Sequence, residues 1–415
     1  MKKMNRSGIF KIWALGLVLT AGACKTSDVN TRNTTTAPAP AINESETHIK
    51  AIKSEYAPDG RVALFDVESY NENGTYILKG ESNLPQAVSA LKQKLQAENI
   101  AFTDSISMLP SAEMEGNTEG VIKISVANLR SKPSHSSELV TQAILGTPVK
   151  VYKKDGGWYY IQTPEGYLAW VDYGGVTPFS KNDLSTWKAA DKVIYLKTYG
   201  FAYEGASAES QVVSDLVAGN ILEILGEENG FYKVKYPHGK EGYIEQTHAQ
   251  PYEQWLAGLQ PTGETLIETS KAFMGIPYLW GGTSAKGVDC SGYTKTIFFL
   301  NGIILPRDAS QQIHTGVEVD STRNFENLIP GDLLFFGRKA TATSSERVIH
   351  VGMWIGDNKF IHAMGDVHIS NMDPNAEDFD DYNFNRYLRT KRVLGEEDEK
   401  LIQLTQSDLF LDRTE

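Results

Sequence analysis

Cysteine is nearly absent, with two residues in a chain of 415, Cys24 and Cys290. No Cys-x-x-Cys and no His-Glu-x-x-His occurs, and zinc sites draw on such close pairs plus a fourth ligand, so a metal centre ranks low. A basic excess is missing too. Lys and Arg number 40 against 52 Asp and Glu, a net charge of −12, which removes the basic face that nucleic acid requires. The apolar run from Ile9 to Leu19 is too short for a stable spanning helix. Preceded by Met-Lys-Lys-Met-Asn-Arg-Ser and followed by small residues up to Cys24, it has the form of a secretory signal over residues 1–24.

What is present is a mixed-charge chain, 22% charged and 41% hydrophobic, long enough for two or more domains. Residues 25–50, rich in Thr, Ala, Asn and Pro up to Glu46, bury no core and are expected to form a flexible tether. Residues 51–118 hold a small β-β-α piece: a strand Val62 to Val67, an Asn73-Gly74 turn, a strand Thr75 to Lys79, and an amphipathic helix Leu84 to Glu98. No chemistry is assigned to it. Two related units follow, at 119–180 and 181–250, each a series of short alternating strands separated by glycine turns, with Asn182 to Val193 as connector. Residues 251–395 carry the chemistry, and 396–415 are expected to be an acidic tail.

The chemistry centres on Tyr278-Leu-Trp-Gly-Gly-Thr-Ser-Ala-Lys-Gly-Val-Asp-Cys-Ser-Gly292. Glycines and Ser284 describe a loop up to Gly287, whereas Tyr293 to Leu300 is apolar enough to continue as a buried helix, so Cys290 opens a helix. Unpaired N–H groups and the positive dipole end favour thiolate there, and a lowered sulfur pKa is expected. Asp289 beside it opposes a thiolate unless a cation is near, which an ammonium of the substrate would supply.

A thiolate in acyl transfer needs a base. Val348-Ile-His-Val-Gly-Met-Trp-Ile355 and Lys359-Phe-Ile-His-Ala363 both read as strands, separated by Gly356-Asp-Asn358. A three-residue loop with Asn358 left-handed pairs His362 with Gly352, diagonal to His350, and puts both imidazoles on one face. A two- or four-residue loop puts them on opposite faces, so a relay requires an odd loop or a bulge. In this reading Cys290 attacks, His350 is base and later acid, and His362 orients His350.

These residues resemble the NlpC-type cysteine peptidases of bacterial cell walls, which have a papain-like fold and a Cys-His-His triad. The resemblance runs roughly from Trp255 to Leu394, through Pro277-Tyr-Leu-Trp-Gly-Gly282, Asp289-Cys-Ser-Gly292, Leu305-Pro-Arg-Asp-Ala-Ser-Gln-Gln312, Pro330-Gly-Asp-Leu-Leu-Phe335, His350-Val-Gly352 and Phe360-Ile-His-Ala363. The repeated units resemble bacterial SH3-like barrels. The expected fold is therefore α+β, a papain-like domain preceded by two SH3-like β-barrels and a small α/β region.

In the subfamily with two barrels, which hydrolyses γ-D-glutamyl bonds to a diamino acid, the first barrel closes one end of the active site. There an acidic residue and a tyrosine of the barrel hold the free amine of an N-terminal L-alanine, and Glu138 and Tyr173 are the matching positions. The resemblance implies that Asp289 binds the same amine, that Ser291 and Ser310 bind the α-carboxylate of D-glutamate, and that Tyr278 lies near the reacting carbonyl. Otherwise Ser291 caps the helix, Ser310 belongs to a helix start at Asp308, Tyr278 packs, and Glu138 and Tyr173 are solvated surface. Arg307 has three possible partners, Asp308, Asp332 or a substrate carboxylate. An acidic end wall of Asp289 and Glu138 would reject an acylated amine by roughly 10⁴-fold.

Ala21-Gly-Ala-Cys24 resembles a lipoprotein processing site, with Ala21 where leucine is usual; ordinary cleavage after Ala21-Gly-Ala23 is the alternative. A lipidated Cys24 would hold the protein at a membrane surface in the cell envelope. With Cys24 acylated and Cys290 catalytic, no disulfide is available. No cofactor is required, the partner is a peptidoglycan-derived peptide, and a monomer is expected. A wall-binding protein with a vestigial site, or an amidase or acyltransferase on the same scaffold, is the alternative class.

Overall fold

The computed structural model describes residues 44–412. The signal, Cys24 and the greater part of the tether lie outside the described residues. Helix Glu44–Tyr56 begins inside the stretch expected to be a tether, because Ile49 and Ile52, one helical turn apart, are buried in a cluster with Leu91 and Leu95 of helix Pro85–Ala97. The hairpin Phe65–Glu72 and Thr75–Ser82 turns at Asn73 and Gly74, both at positive φ (51° and 89°), and pairs Glu72 with Thr75. Its first strand starts and ends later than expected, and a third strand, Phe102–Met108, runs parallel to Thr75–Ser82.

The two repeats fold alike. The first comprises strands Glu119–Ile122, Val126–Arg130, Leu139–Ile144, Pro148–Asp155, Trp158–Gln162, Leu168–Asp172 and Val176–Phe179. The second comprises Lys192–Tyr195, Tyr199–Tyr203, Val212–Val217, Ile221–Glu228, Phe231–Lys235, Glu241–Glu245 and Ala249–Pro251. Numbering the strands of each repeat from its own start, both sheets have the order 7-1-4-5-6-2-3. Helix Lys181–Ala189 connects them, started by a capping box of Ser180 and Asp183.

The last domain packs helix Cys290–Phe299 on a six-stranded antiparallel sheet. In spatial order the strands are Val317–Asp320, Tyr387–Arg392, Leu333–Arg338, Arg347–Gly356, Lys359–Met364 and Asp366–Asn371. One sheet face, with Leu333, Phe335, Val351, Met353 and Ile361, shares a core with Tyr293 and Ile297 of the helix. The other carries Leu334, Phe336, Trp354, Phe360 and Tyr387.

The expected acidic tail is in fact structural. Ile402–Gln403 pairs with Ile303–Ile304, and Leu401, Leu404 and Phe410 are buried. Glu396 to Glu399 dominate the composition of this stretch, but the apolar residues after them have a groove to fill. Phe410 meets Tyr252 at 5.5 Å and Phe299 at 6.3 Å between ring centroids. Phe410→Ala should therefore lower the unfolding free energy by about 3–5 kcal/mol in urea titration, the scale for an emptied aromatic site. An unchanged midpoint would mean that the tail is only loosely attached.

Candidate active site

The loop that leads into the helix is held by barrel 1. Strand Leu139–Ile144 lies along it: the Thr283 N–H donates to Gln142 Oε1 (3.0 Å), the Thr283 hydroxyl to the Gln142 carbonyl (3.1 Å), and Trp280 Nε1 to Glu138 Oε1 (2.9 Å). Gly281 sits at φ +79°, and a Cβ there would run into the Leu139 carbonyl; a Cβ at Gly292 would strike the carbonyl of Gly282. Both glycines let backbones meet where the nucleophile loop folds under the barrel.

Asp289 caps the helix, accepting from the Gly292 N–H at 2.7 Å. Its cation comes from the chain itself rather than from a ligand. Arg307, 1% exposed, donates Nη2 to Asp289 Oδ2 (2.6 Å), Nη1 to Oδ1 (3.1 Å) and to the Ser291 hydroxyl (3.0 Å), and Nε to Thr141 of barrel 1 (2.7 Å). Asp289 thus forms a neutralised pair; the main partner of Arg307 is not among the three expected, of which Asp308 lies only at 3.9 Å. Asp332 is bound by Arg392 at 2.8 Å.

Cys290 is buried at the helix start and accepts backbone N–H groups from Val351 and Ser291. Its expected low pKa is not what results. Burial first, then the Asp289 charge, push the thiol up to about 12 against the pull of Val351, Arg307 and Ser291. The helix-end donors are in place, but desolvation outweighs them.

The two histidine strands are paired from Gly356↔Lys359 to Met353↔Ile361 and no further, so they part at Val351, whose N–H turns to the sulfur. Their turn is two residues, Asp357 and Asn358 at φ 51° and 57°, not the three expected. A bulge between Trp354 and Gly356 adds the missing residue, restores the parity, and leaves both imidazoles on one face. His350 Nε2 lies 2.7 Å from His362 Nδ1, the rings edge-on with centroids 4.9 Å apart. With Nε2 occupied, Nδ1 is the ring nitrogen of His350 left to act as a base. Burial, then His362 and Arg386, hold His350 well below the ordinary imidazole value; burial, then His368, bring His362 to about 3. Both rings are neutral at pH 7.

The other predicted residues divide. Tyr278, half-buried, packs against the cluster that contains Cys290, and burial, then the charges of Cys290 and Asp289, push its phenol above the ordinary range, so it stays a proton donor. Ser291 is buried, with its hydroxyl on Arg307 and Asp289. Glu138 is exposed at the rim with Trp280. Ser310 is not brought to the thiol. It stands in helix Ala309–Gln312, accepts from Arg61 Nη1 of the N-terminal piece at 3.0 Å, and lines a separate cavity with Gly60, Glu165 and His314. Tyr173 is 69% exposed, and its phenol makes no hydrogen bond among the described residues. Sequence reasoning passed over Thr141, Trp280, Ser370, Asp380 and Arg386; only Asp380, three residues before Asn383 in a capping pattern, left a local signal.

A cysteine at a helix start, with the N–H of Val351 turned to its sulfur one residue from the paired imidazole of His350, is the arrangement of a papain-like thiol hydrolase. The NlpC/P60 family profile matches residues 275–384, and the bacterial SH3 domain profile matches 125–177 and 199–249. A γ-D-glutamyl-L-lysine dipeptidyl-peptidase of Bacillus cereus is 33% identical over 243 residues, 55% of this chain and 68% of that one. One of the same name from Bacillus subtilis is 32% identical over 234 residues, 54% of this chain and 71% of the other. The crystal structure of an NlpC/P60 family protein from Bacillus cereus superposes with a TM-score of 0.57 at 27% identity, covering 66% of this chain and 99% of that one. The chain belongs to the NlpC/P60 family of cell-wall peptidases.

Removing Arg307 tests the geometry directly. Arg307→Ala strands a buried carboxylate at the helix start and should cost about 3–5 kcal/mol in denaturant unfolding. A loss below about 1 kcal/mol, the scale of an exposed pair, would mean that Asp289 is solvated instead.

Proposed function

We propose that the protein is a cysteine endopeptidase that hydrolyses the γ-D-glutamyl–diamino acid bond of peptidoglycan stem peptides bearing a free N-terminal L-alanine, in the turnover of wall fragments. The observation that carries this reading is that Val351, next to His350 in its strand, turns its N–H to the Cys290 sulfur, while His350 pairs with His362 at 2.7 Å and a barrel strand ending in Glu138 docks on the Cys290 loop. Two relatives whose names specify γ-D-glutamyl-L-lysine cleavage support the substrate class.

In the resting site sulfur is a thiol and imidazole is neutral, so attack is general-base catalysed. His350 Nδ1 takes the Cys290 proton as the sulfur adds to the γ-carbonyl, and the oxyanion receives the Cys290 N–H, free by its position at the helix start, with the Tyr278 hydroxyl as second donor. The His350 imidazolium then protonates the leaving amine, the thioester forms, and water activated by the same ring hydrolyses it. Glu138 binds the L-alanine ammonium. Asp289 and Ser291 shape the pocket as a pair with Arg307. Tyr173 and Ser310 enter this reading only through the family resemblance. Export and attachment through Cys24 belong to it as well, resting on Ala21-Gly-Ala-Cys24.

Because Arg307 neutralises Asp289 and Glu138 stands in solvent, the preference for a free amine is smaller than an end wall of two bare carboxylates implies. One charged hydrogen bond is worth about 1.5–3 kcal/mol, so kcat/KM for free L-Ala-γ-D-Glu-diamino acid should exceed that of its N-acetyl form by roughly 10- to 100-fold, and Glu138→Ala should remove most of the difference. Equal rates for the two peptides in the wild type would return the barrel to a plain wall tether. Cys290→Ala should abolish hydrolysis with wild-type melting, and His362→Ala should lower kcat less than His350→Ala. Measurable turnover by the folded alanine variant would remove Cys290 from the mechanism.

A further inference from the structure

Two neutral imidazoles joined nitrogen to nitrogen share one proton, and it can lie either way. If His350 donates from Nε2, its Nδ1 carries a lone pair and serves as base; if His362 donates from Nδ1, His350 is protonated on Nδ1 and useless. Nothing in the two rings themselves decides between these arrangements. The deciding groups lie on the far side of His362.

His362 Nε2 is 3.1 Å from the Ser370 hydroxyl. Ser370 is on the neighbouring strand, paired with Phe360 and so diagonal to His362, and it stands next to Asp380, which is tied to the adjacent Asn371. Asp380 begins helix Asp381–Asn385. Its carboxylate accepts the Asn383 N–H (2.9 Å) and Asn383 Nδ2 (2.5 Å), and its own N–H holds the Asn371 carbonyl at 2.8 Å. The orientation of the Asn383 amide is fixed in turn by Arg386, which only donates and reaches Asn383 Oδ1 with Nε (3.1 Å) and Nη2 (2.7 Å). A donor-only cation thus closes one end of the chain, and an acceptor-only carboxylate stands at its middle.

We propose that Asp380, acting through Ser370, sets the tautomer of His362 and thereby frees Nδ1 of His350 as the base. Asp380 obliges Ser370 to donate toward it; Ser370 then accepts from His362 Nε2–H, His362 Nδ1 is bare, and it accepts from His350 Nε2–H. Every hydrogen bond from the base onward points toward the one carboxylate. Burial works against the charge of Asp380, but Asn383 and Ser370 outweigh it and hold the carboxyl below its ordinary value. His368, stacked edge-on at 4.5 Å from His362, turns its Nδ1 to Asp366 and takes no part in the chain. Ser370 and Asp380 are positioning residues. Their catalytic consequence rests on the thiol-peptidase reading, whereas the tautomer itself does not.

Two-bond ¹H–¹⁵N spectra of the ¹⁵N-histidine-labelled protein at neutral pH read the tautomers without substrate. The expected result is a proton on Nε2 of both His350 and His362; a proton on Nδ1 of His362, or an imidazolium there, overturns the proposal. In Ser370→Ala the His362 signal should become a mixture of tautomers and kcat should fall roughly 10- to 100-fold at unchanged KM, the scale for losing the outer partner of a functional histidine. Ser370→Thr should restore most of the loss. Asp380→Asn keeps a helix cap but replaces an acceptor by a donor, so it should lose kcat alongside Ser370→Ala, and the double variant should be no worse than either alone. Ser370→Ala with wild-type kcat and an unmixed tautomer would also overturn the proposal. Should the tautomers be as expected while the wild type leaves muropeptides uncut, the functional reading fails and this one stands.

Discussion

A guanidinium taken fully out of water is costly unless its donors are matched, and Arg307 makes four hydrogen bonds that join three parts of the molecule. Its Nη groups hold the carboxylate that starts the nucleophile helix and the adjacent serine, while its Nε reaches Thr141 in barrel 1. The barrel is therefore tied to the site through the helix cap itself. Displacing the barrel would leave the charge pair intact but would take the acceptor from the Nε–H of a buried guanidinium, so barrel and nucleophile helix share one hydrogen-bond network.

That arrangement also reassigns the electrostatics. Asp289, bare, would oppose a thiolate; paired, it becomes a rigid cap, and the main force on the sulfur is desolvation. A raised thiol beside lowered imidazoles makes a resting site without charge, in which the proton moves only as a carbonyl arrives. Such a site depends on the base presenting the correct nitrogen, so hydrogen-bond polarity outside the triad carries as much weight as the triad.

What the sequence makes legible is what local pattern encodes. The Cys290 helix start follows from a glycine loop running into an apolar stretch, and the two repeats follow from strand rhythm, to which the structure adds an identical strand order. The shared face of His350 and His362 was reachable only conditionally: parity demands an odd loop or a bulge, and the bulge at Ile355 has no sequence signature of its own. The remainder depends on partners distant in the chain. Arg307 pairs with Asp289, 18 residues away, which no local pattern links to it; Ser310 meets Arg61, 249 residues away, instead of the thiol. Leu401 to Phe410 were masked by the acidic residues before them. Ser370 looks like any polar residue in an alternating strand until the fold sets it behind His362.

The central claim is that Cys290 is acylated by the D-glutamyl carbonyl. Acid-quenched intact-protein mass spectrometry during turnover of L-Ala-γ-D-Glu-diamino acid tests it most directly. The account predicts a transient adduct with the mass of L-Ala-D-Glu, less water, mapping to the peptide that contains Cys290 and disappearing in Cys290→Ala. Turnover without that adduct in a variant slowed at deacylation, or an adduct on any other residue, would contradict it.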